Sequence, residues 1–332
     1  MRDPAFWWRD AGLRARALAP LGFIYGAIAA RRMMRKGTRA GLPVVCVGNF
    51  TLGGAGKTPT VILIARMLTE AGERPFCISR GYGGTEAGPR MVDHRTDSAA
   101  QVGDEALLLA RAAPTIVARD RIAGAAFAQA QGASAIILDD GLQNPSLAKD
   151  FTLAVIDARR GIGNGFVFPA GPLRAPLDEQ LARTDGLLVV GEGAGADDIA
   201  AQLRVKSRPV FNGHLRPDDS AASSLKGRHV LAFAGIGNPE KFFATVSAAG
   251  IVVTERKIFP DHHRFTAQEA DTLVARADRA GLVLLTTEKD RSRMKGEPHL
   301  ETLAARVRTL PVAMAVQNVD VFRQAVMSAL RR

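Results

Sequence analysis

A glycine-rich segment followed by Lys57 and Thr58 contains the residues whose chemistry is easiest to identify. It follows an apolar run at 44–47 and precedes an apolar stretch of helical length at 60–71. Strand, glycine-rich loop, Lys-Thr and helix are typical of the P-loop, whose backbone N–H groups and helix dipole attract phosphate. We therefore predict that Lys57 contacts the β- and γ-phosphates of a nucleotide and that the Thr58 hydroxyl binds Mg²⁺. The residues predicted to bind the nucleotide are Thr51, Leu52, Gly53, Gly54, Ala55, Gly56, Lys57 and Thr58.

The loop departs from the usual P-loop pattern at its first glycine position, which is occupied by Thr51. Gly53 and Gly54 supply the backbone freedom that this position usually gives. A chance glycine-rich turn is the alternative interpretation. The order of strand, loop, Lys-Thr and helix argues against it, because each part stands where a P-loop requires it.

An acidic residue, Asp139, ends an apolar strand predicted at 135–138, and Asp140 follows it directly. An apolar strand that ends in aspartate downstream of a P-loop is the Walker-B arrangement, which holds Mg²⁺ directly or through water. The sequence therefore predicts a carboxylate on the metal side of the nucleotide.

Further polar residues follow other predicted elements. Arg80 ends a strand predicted at 75–79, where α/β sheets bind ligands, so it is a candidate anion contact or part of a plain turn. Asp104 begins a helix, and a capping or first-turn acid is the simplest interpretation. A loop at 159–176 is rich in glycine and proline, which is typical of functional irregular structure. The candidate substrate contacts in these loops are Arg80, Tyr82, Asn164 and Arg174.

The order of elements predicts an α/β fold. Strands that alternate with helices indicate a P-loop-type parallel sheet with helices on both faces. A second, smaller α/β run begins near residue 228. We predict an N-terminal segment at 1–40, a P-loop domain at 41–200, a linker at 201–226 and a C-terminal α/β domain at 227–332.

The chain has 332 residues and a net charge of +11, which favours anionic partners. Most of this excess lies in the first 40 residues, whose basic members are Arg2, Arg9, Arg14, Arg16, Arg31, Arg32, Arg35, Lys36 and Arg39, against the acids Asp3 and Asp10. Apolar residues at helical spacing form one stripe: Phe6, Leu13, Ala17, Leu21, Ile24 and Ile28. With Trp7 and Trp8 beside it, this pattern predicts a helix lying on an anionic membrane surface, and the apolar stretch is too short to span a bilayer. A helix packed on the protein's own core is the alternative.

At this point six motifs together resemble one family, the tetraacyldisaccharide 4′-kinases of Gram-negative bacteria. The motifs, in family order after the P-loop at 47–59, are Ser79-Arg80-Gly81-Tyr82-Gly83, Val102-Gly103-Asp104-Glu105, Asp139-Asp140-Gly141-Leu142-Gln143, the 161–176 loop, Pro260-Asp261-His262-His263 and Thr287-Glu288-Lys289-Asp290. The resemblance covers nearly the whole chain.

The resemblance implies transfer of the γ-phosphoryl group of ATP, with Mg²⁺, to the 4′-hydroxyl of a tetraacyl glucosamine disaccharide 1-phosphate, giving lipid IVA. It implies a location at the cytoplasmic face of the inner membrane. By motif, Asp104 and His262 correspond to an acid–histidine pair that activates the hydroxyl, Asp139 and Asp140 to metal-side acids, and Arg121 to a transition-state contact. At Ala175, where many members carry glutamate, this chain departs from the family.

Two other functions agree less well with the sequence. A deviant P-loop ATPase of the partitioning or carrier-loading type carries a signature lysine before its glycine pair, and that position is Leu52 here. A DNA-binding module is disfavoured because the charge excess lies in a helix with tryptophan and leucine and no recognition-helix or zinc-finger pattern occurs. We expect no nucleic-acid partner. The oligomeric state, and whether His262 or His263 faces the site, stay open at the sequence level.

Overall fold

The computed structural model describes residues 3–331, so Arg2 of the predicted basic segment and the outermost residues of the predicted domains at 1–40 and 227–332 lie outside the described residues. The strands are β1 (Val44–Gly48), β2 (Pro75–Ser79), β3 (Arg90–Met91), β4 (Thr115–Val117), β5 (Ala135–Asp139), β6 (Phe151–Asp157), β7 (Gly186–Val190), β8 (Val210–Pro217), β9 (His229–Ala234), β10 (Val252–Ile258), β11 (Val283–Thr286), β12 (Arg308–Thr309) and β13 (Val312–Val316).

The helices lie between these strands in the alternation that the sequence predicts. They are α1 (Leu13–Met33), α2 (Lys57–Glu70), α3 (Ala99–Val102), α4 (Asp104–Ala110), α5 (Arg121–Ala130), α6 (Leu177–Leu181), α7 (Asp197–Val205), α8 (Asp219–Leu225), α9 (Pro239–Ala248), α10 (Ala267–Ala280), α11 (Glu288–Met294), α12 (Glu301–Arg306) and α13 (Val319–Leu330). Short 3₁₀ helices occupy Ala5–Trp8 and Pro298–Leu300.

A large sheet carries the P-loop at its centre. Its strand order is β13-β8-β7-β6-β1-β5-β2-β4-β3, and within residues 3–331 only the two edge pairs, β3 with β4 and β13 with β8, are antiparallel. Since parallel strands that are buried on both faces need apolar side chains in both directions, β1 reads as the continuous run Val-Val-Cys-Val. Val45 packs in a core with α2 and α13, whereas Cys46 packs on the opposite face in a core with α5. The predicted parallel sheet with helices on both faces is thereby confirmed.

A smaller, all-parallel sheet of order β10-β9-β11-β12 forms the second unit. The chain enters this unit after β8 and returns from it as β13, which pairs with β8 in the large sheet. The observed division therefore differs from the predicted boundaries: the predicted linker at 201–226 includes a strand of the large sheet, and residues 312–330 belong with that sheet. The sequence does not reveal this return, because the partner of a strand is set by tertiary pairing rather than by local pattern.

The N-terminal segment differs from a single helix. The residues Ala5–Trp8 form a 3₁₀ helix, and α1 lies against the glycine- and proline-rich loop through small residues, with Gly22 so close to the Val167 carbonyl that a Cβ there would clash. The apolar stripe points away from the protein: Leu13, Leu21, Ile24 and Ile28 are exposed. The alternative of a stripe packed on the protein's own core does not agree with this arrangement.

The tryptophans do not lie where the sequence analysis places them. Trp7 is buried and its indole N–H donates to the Pro169 carbonyl at 3.1 Å, while the Arg160 guanidinium stacks on Trp8 at 4.7 Å from the ring centroid. Trp7 therefore anchors the N-terminal segment to the protein and not to a membrane boundary. Across residues 3–331, we find no helix long and apolar enough to cross a membrane.

Candidate active site

The P-loop connects β1 to α2 and is shaped by two glycines in the left-handed region, Gly53 (φ 101°) and Gly56 (φ 102°). Residues with side chains rarely adopt this conformation, so these glycines permit the tight turn. The helix α2 begins at Lys57, and the first N–H groups of a helix have no partner within it. The loop therefore presents donors and partial positive charge to an anion.

The Lys57 ammonium is held in place by a neighbour that the sequence analysis did not identify. It donates to Asn49 Oδ1 at 3.1 Å, and its Nζ atom lies 3.8 Å from Asp140 Oδ1. The Asn49 amide in turn donates to the carbonyls of Thr51 and Gly53 at 2.6 and 3.2 Å. Asn49 therefore fixes both the loop backbone and the lysine that follows it.

The predicted glycine- and proline-rich loop lies directly on the P-loop. Thr51 bridges to Leu173 in antiparallel fashion, and Arg174 donates from Nη1 to both oxygens of Asp140 at 2.7 and 2.8 Å. Burial alone would raise the pKa of Asp140, but the charges of Arg174 and Lys57 hold it well below its usual range. Asp140 is thus an ionised carboxylate whose position depends on this loop.

The second acid, Asp139, lies in an environment that raises its pKa rather than lowering it. Burial, together with the negative charges of Glu105 and Asp140, raises the pKa of Asp139 to about 7. Its Oδ1 atom is buried without a hydrogen-bond partner among the described residues. An orphaned carboxylate oxygen beside a P-loop fits a divalent cation, since Mg²⁺ is usually held by one or two carboxylates and by substrate phosphates. Residues 3–331 show no cluster of three or more acidic, histidine or cysteine side chains arranged as a complete metal cage.

Replacing Asp139 by asparagine is expected to raise the Mg²⁺ concentration needed for half-maximal turnover at least about tenfold, because an uncharged amide binds the cation more weakly. The measurement is turnover against Mg²⁺ concentration. Asp150→Asn is the control, since Asp150 accepts from the Val44 N–H at the opposite end of β1. Unchanged Mg²⁺ dependence in both Asp139→Asn and Asp140→Asn would remove these acids from the metal site.

A carboxylate and a histidine from different units meet beside the P-loop. Asp104 is the first residue of α4, and its Oδ2 atom lies 3.4 Å from His262 Nδ1. His262 has a positive φ of 56°, an unusual conformation for a residue with a side chain and one that often marks functional sites. Burial opposes the imidazolium, but the Asp104 carboxylate outweighs it and raises the pKa of His262.

The neighbouring histidine has a different environment. His263 Nε2 lies 2.9 Å from Glu269 Oε2, and its ring stacks on Phe259 at 4.9 Å between centroids. The structure thereby resolves which of the two histidines contacts Asp104, a question that the sequence leaves open.

The remaining predicted residues are distributed unevenly. The Tyr82 ring, mostly exposed, lies 4.8 Å from that of His262, and Arg80 is exposed. Arg121 is buried and donates to the backbone carbonyls of Ala118 and Asp139 at 3.0 and 3.2 Å, and its role as a transition-state contact stays a prediction. The Asn164 amide donates to the carbonyls of Phe6 and Ala170, so this residue ties the N-terminal segment to the loop, and its role as a substrate contact stays a prediction.

Charged residues to which the sequence analysis assigns no individual role join the two units around Asp104. Lys289 donates to Glu105 at 2.6 Å, and Glu105 lies 3.5 Å from the Thr58 hydroxyl. Arg293 forms a buried ion pair with Asp104 and another with Asp290 at 2.8 Å. Glu105, Lys289 and Asp290 belong to the motifs at 102–105 and 287–290, whereas Arg293 lies beyond them and no sequence motif points to it.

Comparisons with known proteins agree with this arrangement. The family model described as tetraacyldisaccharide-1-P 4′-kinase matches residues 14–331. The chain is 52% identical to the tetraacyldisaccharide 4′-kinase of Rhodopseudomonas palustris strain BisB5, covering 96% of this chain and 94% of that protein. It is 50% identical to the tetraacyldisaccharide 4′-kinase of Nitrobacter winogradskyi, covering 100% and 98%. The crystal structure of the "apo" form of LpxK from Aquifex aeolicus in complex with ATP superposes with a TM-score of 0.70 at 25% identity, covering 95% of this chain and 99% of that one. The chain therefore belongs to the tetraacyldisaccharide 4′-kinase family.

Proposed function

We propose that this chain transfers the γ-phosphoryl group of ATP to the 4′-hydroxyl of a tetraacyl glucosamine disaccharide 1-phosphate, giving lipid IVA. The observation that carries the proposal is the meeting of a P-loop lysine and a carboxylate–histidine pair at one interface, in a member of this family. The residues Thr51, Leu52, Gly53, Gly54, Ala55, Gly56, Lys57 and Thr58 bind the triphosphate. No observation favours a deviant P-loop ATPase.

The charges of the site fit phosphoryl transfer, which depends on positioning and neutralisation more than on covalent chemistry. Lys57 offsets the negative charge of the transferred group. His262, oriented by Asp104, accepts the proton of the sugar hydroxyl, since an alcohol is a poor nucleophile without a base. Thr58, Asp139 and Asp140 would hold Mg²⁺, which when bound neutralises phosphate charge, and Asp140 also positions Arg174 and Lys57.

The acceptor is a lipid, and apolar surface is available next to the site. A cavity of about 510 Å³ lies between α1 and the 165–177 loop, lined by residues such as Gly22, Gly26, Val167 and Pro176. Small residues on the helix leave this space open. We assign the cavity to an acyl chain of the acceptor, because its lining is mainly apolar and includes Phe23, an exposed residue of α1.

The test is incubation of the purified chain with γ-labelled ATP and the disaccharide 1-phosphate in detergent. Label on the lipid, at the 4′ position, is the expected result. ATP turnover that does not depend on the lipid, with no label on it, would contradict the proposal and favour an ATPase.

We further propose that α1 binds the cytoplasmic face of the inner membrane. The supporting observation is an outward apolar stripe flanked by arginines, an arrangement that favours an anionic interface. This assignment keeps the protein peripheral.

Changing Leu21, Ile24 and Ile28 together to serine is expected to weaken binding to vesicles that contain anionic lipid by at least about tenfold. All three side chains are exposed, so the change removes apolar area from the outer face of α1 and leaves the packing of the protein intact. Point changes are preferred to a deletion of the N-terminal segment, because a deletion would also remove buried Trp7. Cosedimentation at low and high salt is the measurement, and binding should fall as salt rises. The matched control changes Val205, Val252 and Val321, which are also exposed. Equal binding by the two triple variants would show that α1 is not the anchor.

A further inference from the structure

The most extensive buried charge network of the site centres on Arg293, a residue to which nothing above gives a role. Its side chain is 5% exposed and comes from α11 of the second unit. Its Nε atom donates to Asp104 Oδ2 at 2.7 Å, its Nη2 donates to the same oxygen, and its Nη1 donates to Asp290 Oδ1 at 2.8 Å. The guanidinium thus joins a carboxylate of the P-loop unit to one of the second unit.

A second contact connects this arginine to the histidine. Arg293 Nη1 donates to the Gly235 carbonyl at 2.6 Å, and the same carbonyl accepts the backbone N–H of His262 at 3.1 Å. The Gly235 N–H is in turn held by both oxygens of Asp290 at 3.1 Å. Arg293 therefore contacts the Asp104 carboxylate directly and is linked to the His262 backbone through the Gly235 carbonyl.

We propose that Arg293 is a positioning residue for the phosphoryl transfer, which supplies the permanent counter-charge of Asp104 so that neutral His262 can occupy the remaining approach to that carboxylate. This inference rests on the proposed function. A buried carboxylate without a partner is strongly disfavoured. If Arg293 were absent, Asp104 would be compensated by a protonated His262, and the base would be unavailable at neutral pH.

The charged groups that face His262 determine the sign of the effect. Asp104 lies on α4, Arg293 on α11, and Asp261 on the loop of His262 itself, with Asp261 Oδ2 3.8 Å from Nε2. The two acids favour the imidazolium and Arg293 opposes it. Removing the arginine charge therefore moves the ionisation of His262 to higher pH.

The experiment compares Arg293→Gln with Arg293→Lys through the pH profile of kcat and NMR titration of the His262 ring. In Arg293→Gln both midpoints should move up by about one pH unit, which is about a tenfold loss of the neutral base below the midpoint. In Arg293→Lys the charge stays, so the midpoints should remain near those of the wild type. The control is Arg111→Ala, which removes a more exposed pair with Glu288 between the same two helices and should leave both midpoints unchanged.

A folded Arg293→Gln enzyme with wild-type midpoints would overturn the proposal, as would an equal shift in Arg293→Lys. If Arg293→Gln does not fold, the triple variant that adds Asp104→Asn and Asp290→Asn is expected to fold, because neither carboxylate that Arg293 pairs with keeps its charge, and its failure to fold would also overturn the proposal. The role of the Asp104–His262 pair is tested separately. A wild-type profile with no rising limb, or a limb that survives His262→Ala, would refute the proposed role of His262 rather than that of Arg293.

Discussion

Lys57→Ala is expected to lower kcat by at least about 10³-fold. In the proposed mechanism the ammonium stabilises charge on the transferring phosphoryl group, and removing one such donor from a preorganised site commonly costs about 10²–10³-fold. Lys57 also orders the P-loop through Asn49. Both effects fall on the same step, so the loss should reach the upper end of this range or exceed it.

The fold is expected to tolerate this change. Lys57 is only 9% exposed, so its removal leaves polar neighbours short of one partner. These neighbours keep other hydrogen-bond partners. Asp140 retains Arg174, and Asn49 retains its two backbone acceptors. The control is Lys149→Ala, since Lys149 is another partly buried lysine and donates to the Asn144 carbonyl. Thermal unfolding and kcat are measured for both variants, and activity of Lys57→Ala within tenfold of the wild type would exclude the P-loop assignment.

Loss of the Asp104–His262 pair is the second large effect. We expect His262→Ala to lower kcat by about 10²–10⁴-fold with little change in the KM for ATP, because a general base acts on the acceptor hydroxyl and not on the nucleotide. The pKa of His262 is raised, and only its neutral form accepts a proton. The wild-type kcat should therefore rise with pH through a midpoint above the ordinary histidine value of about 6.5 and then level off.

The double variant provides the decisive comparison. If Asp104 acts through His262, Asp104→Ala with His262→Ala should be barely worse than the worse single variant, since residues that act as a unit are not additive. His263→Ala is the control for loss of a histidine from the same loop, and its kcat should change little because that ring is bonded to Glu269. Losses that multiply fully would show that the two residues act independently.

Local pattern predicts the parts of this structure that short segments determine. The apolar run before the P-loop forms β1, as the sequence analysis predicts. Thr266 and Glu269, spaced as a capping box requires, form one at the start of α10. The helix after the P-loop begins at Lys57 rather than near residue 60, because Lys57 and Thr58 already form its first turn after the Gly56 cap.

Contacts between distant segments are not predictable in this way. Arg293 lies in a run of alternating charges that is typical of a solvated helix, yet it is buried on Asp104. Trp7 has the composition of an interfacial anchor, yet its ring is covered by the protein. Each of these side chains is buried against a partner more than 150 positions away in the sequence. The pattern of residues around either side chain does not identify that partner.

The return of β13 to the large sheet has a consequence for biosynthesis. The strand β8 pairs with β13 over Gly213–Pro217 and Val312–Val316, and the whole second unit lies between them in sequence. The chain is synthesised from its N-terminus, so β8 is translated before the second unit and β13 after it. The edge of β8 that pairs with β13 therefore has no partner while the second unit is translated. Unpaired edges are templates for association with other chains. Interruption of translation within the second unit would therefore leave a nascent P-loop sheet that is prone to aggregate, and completion of that sheet is coupled to synthesis of the unit that supplies His262.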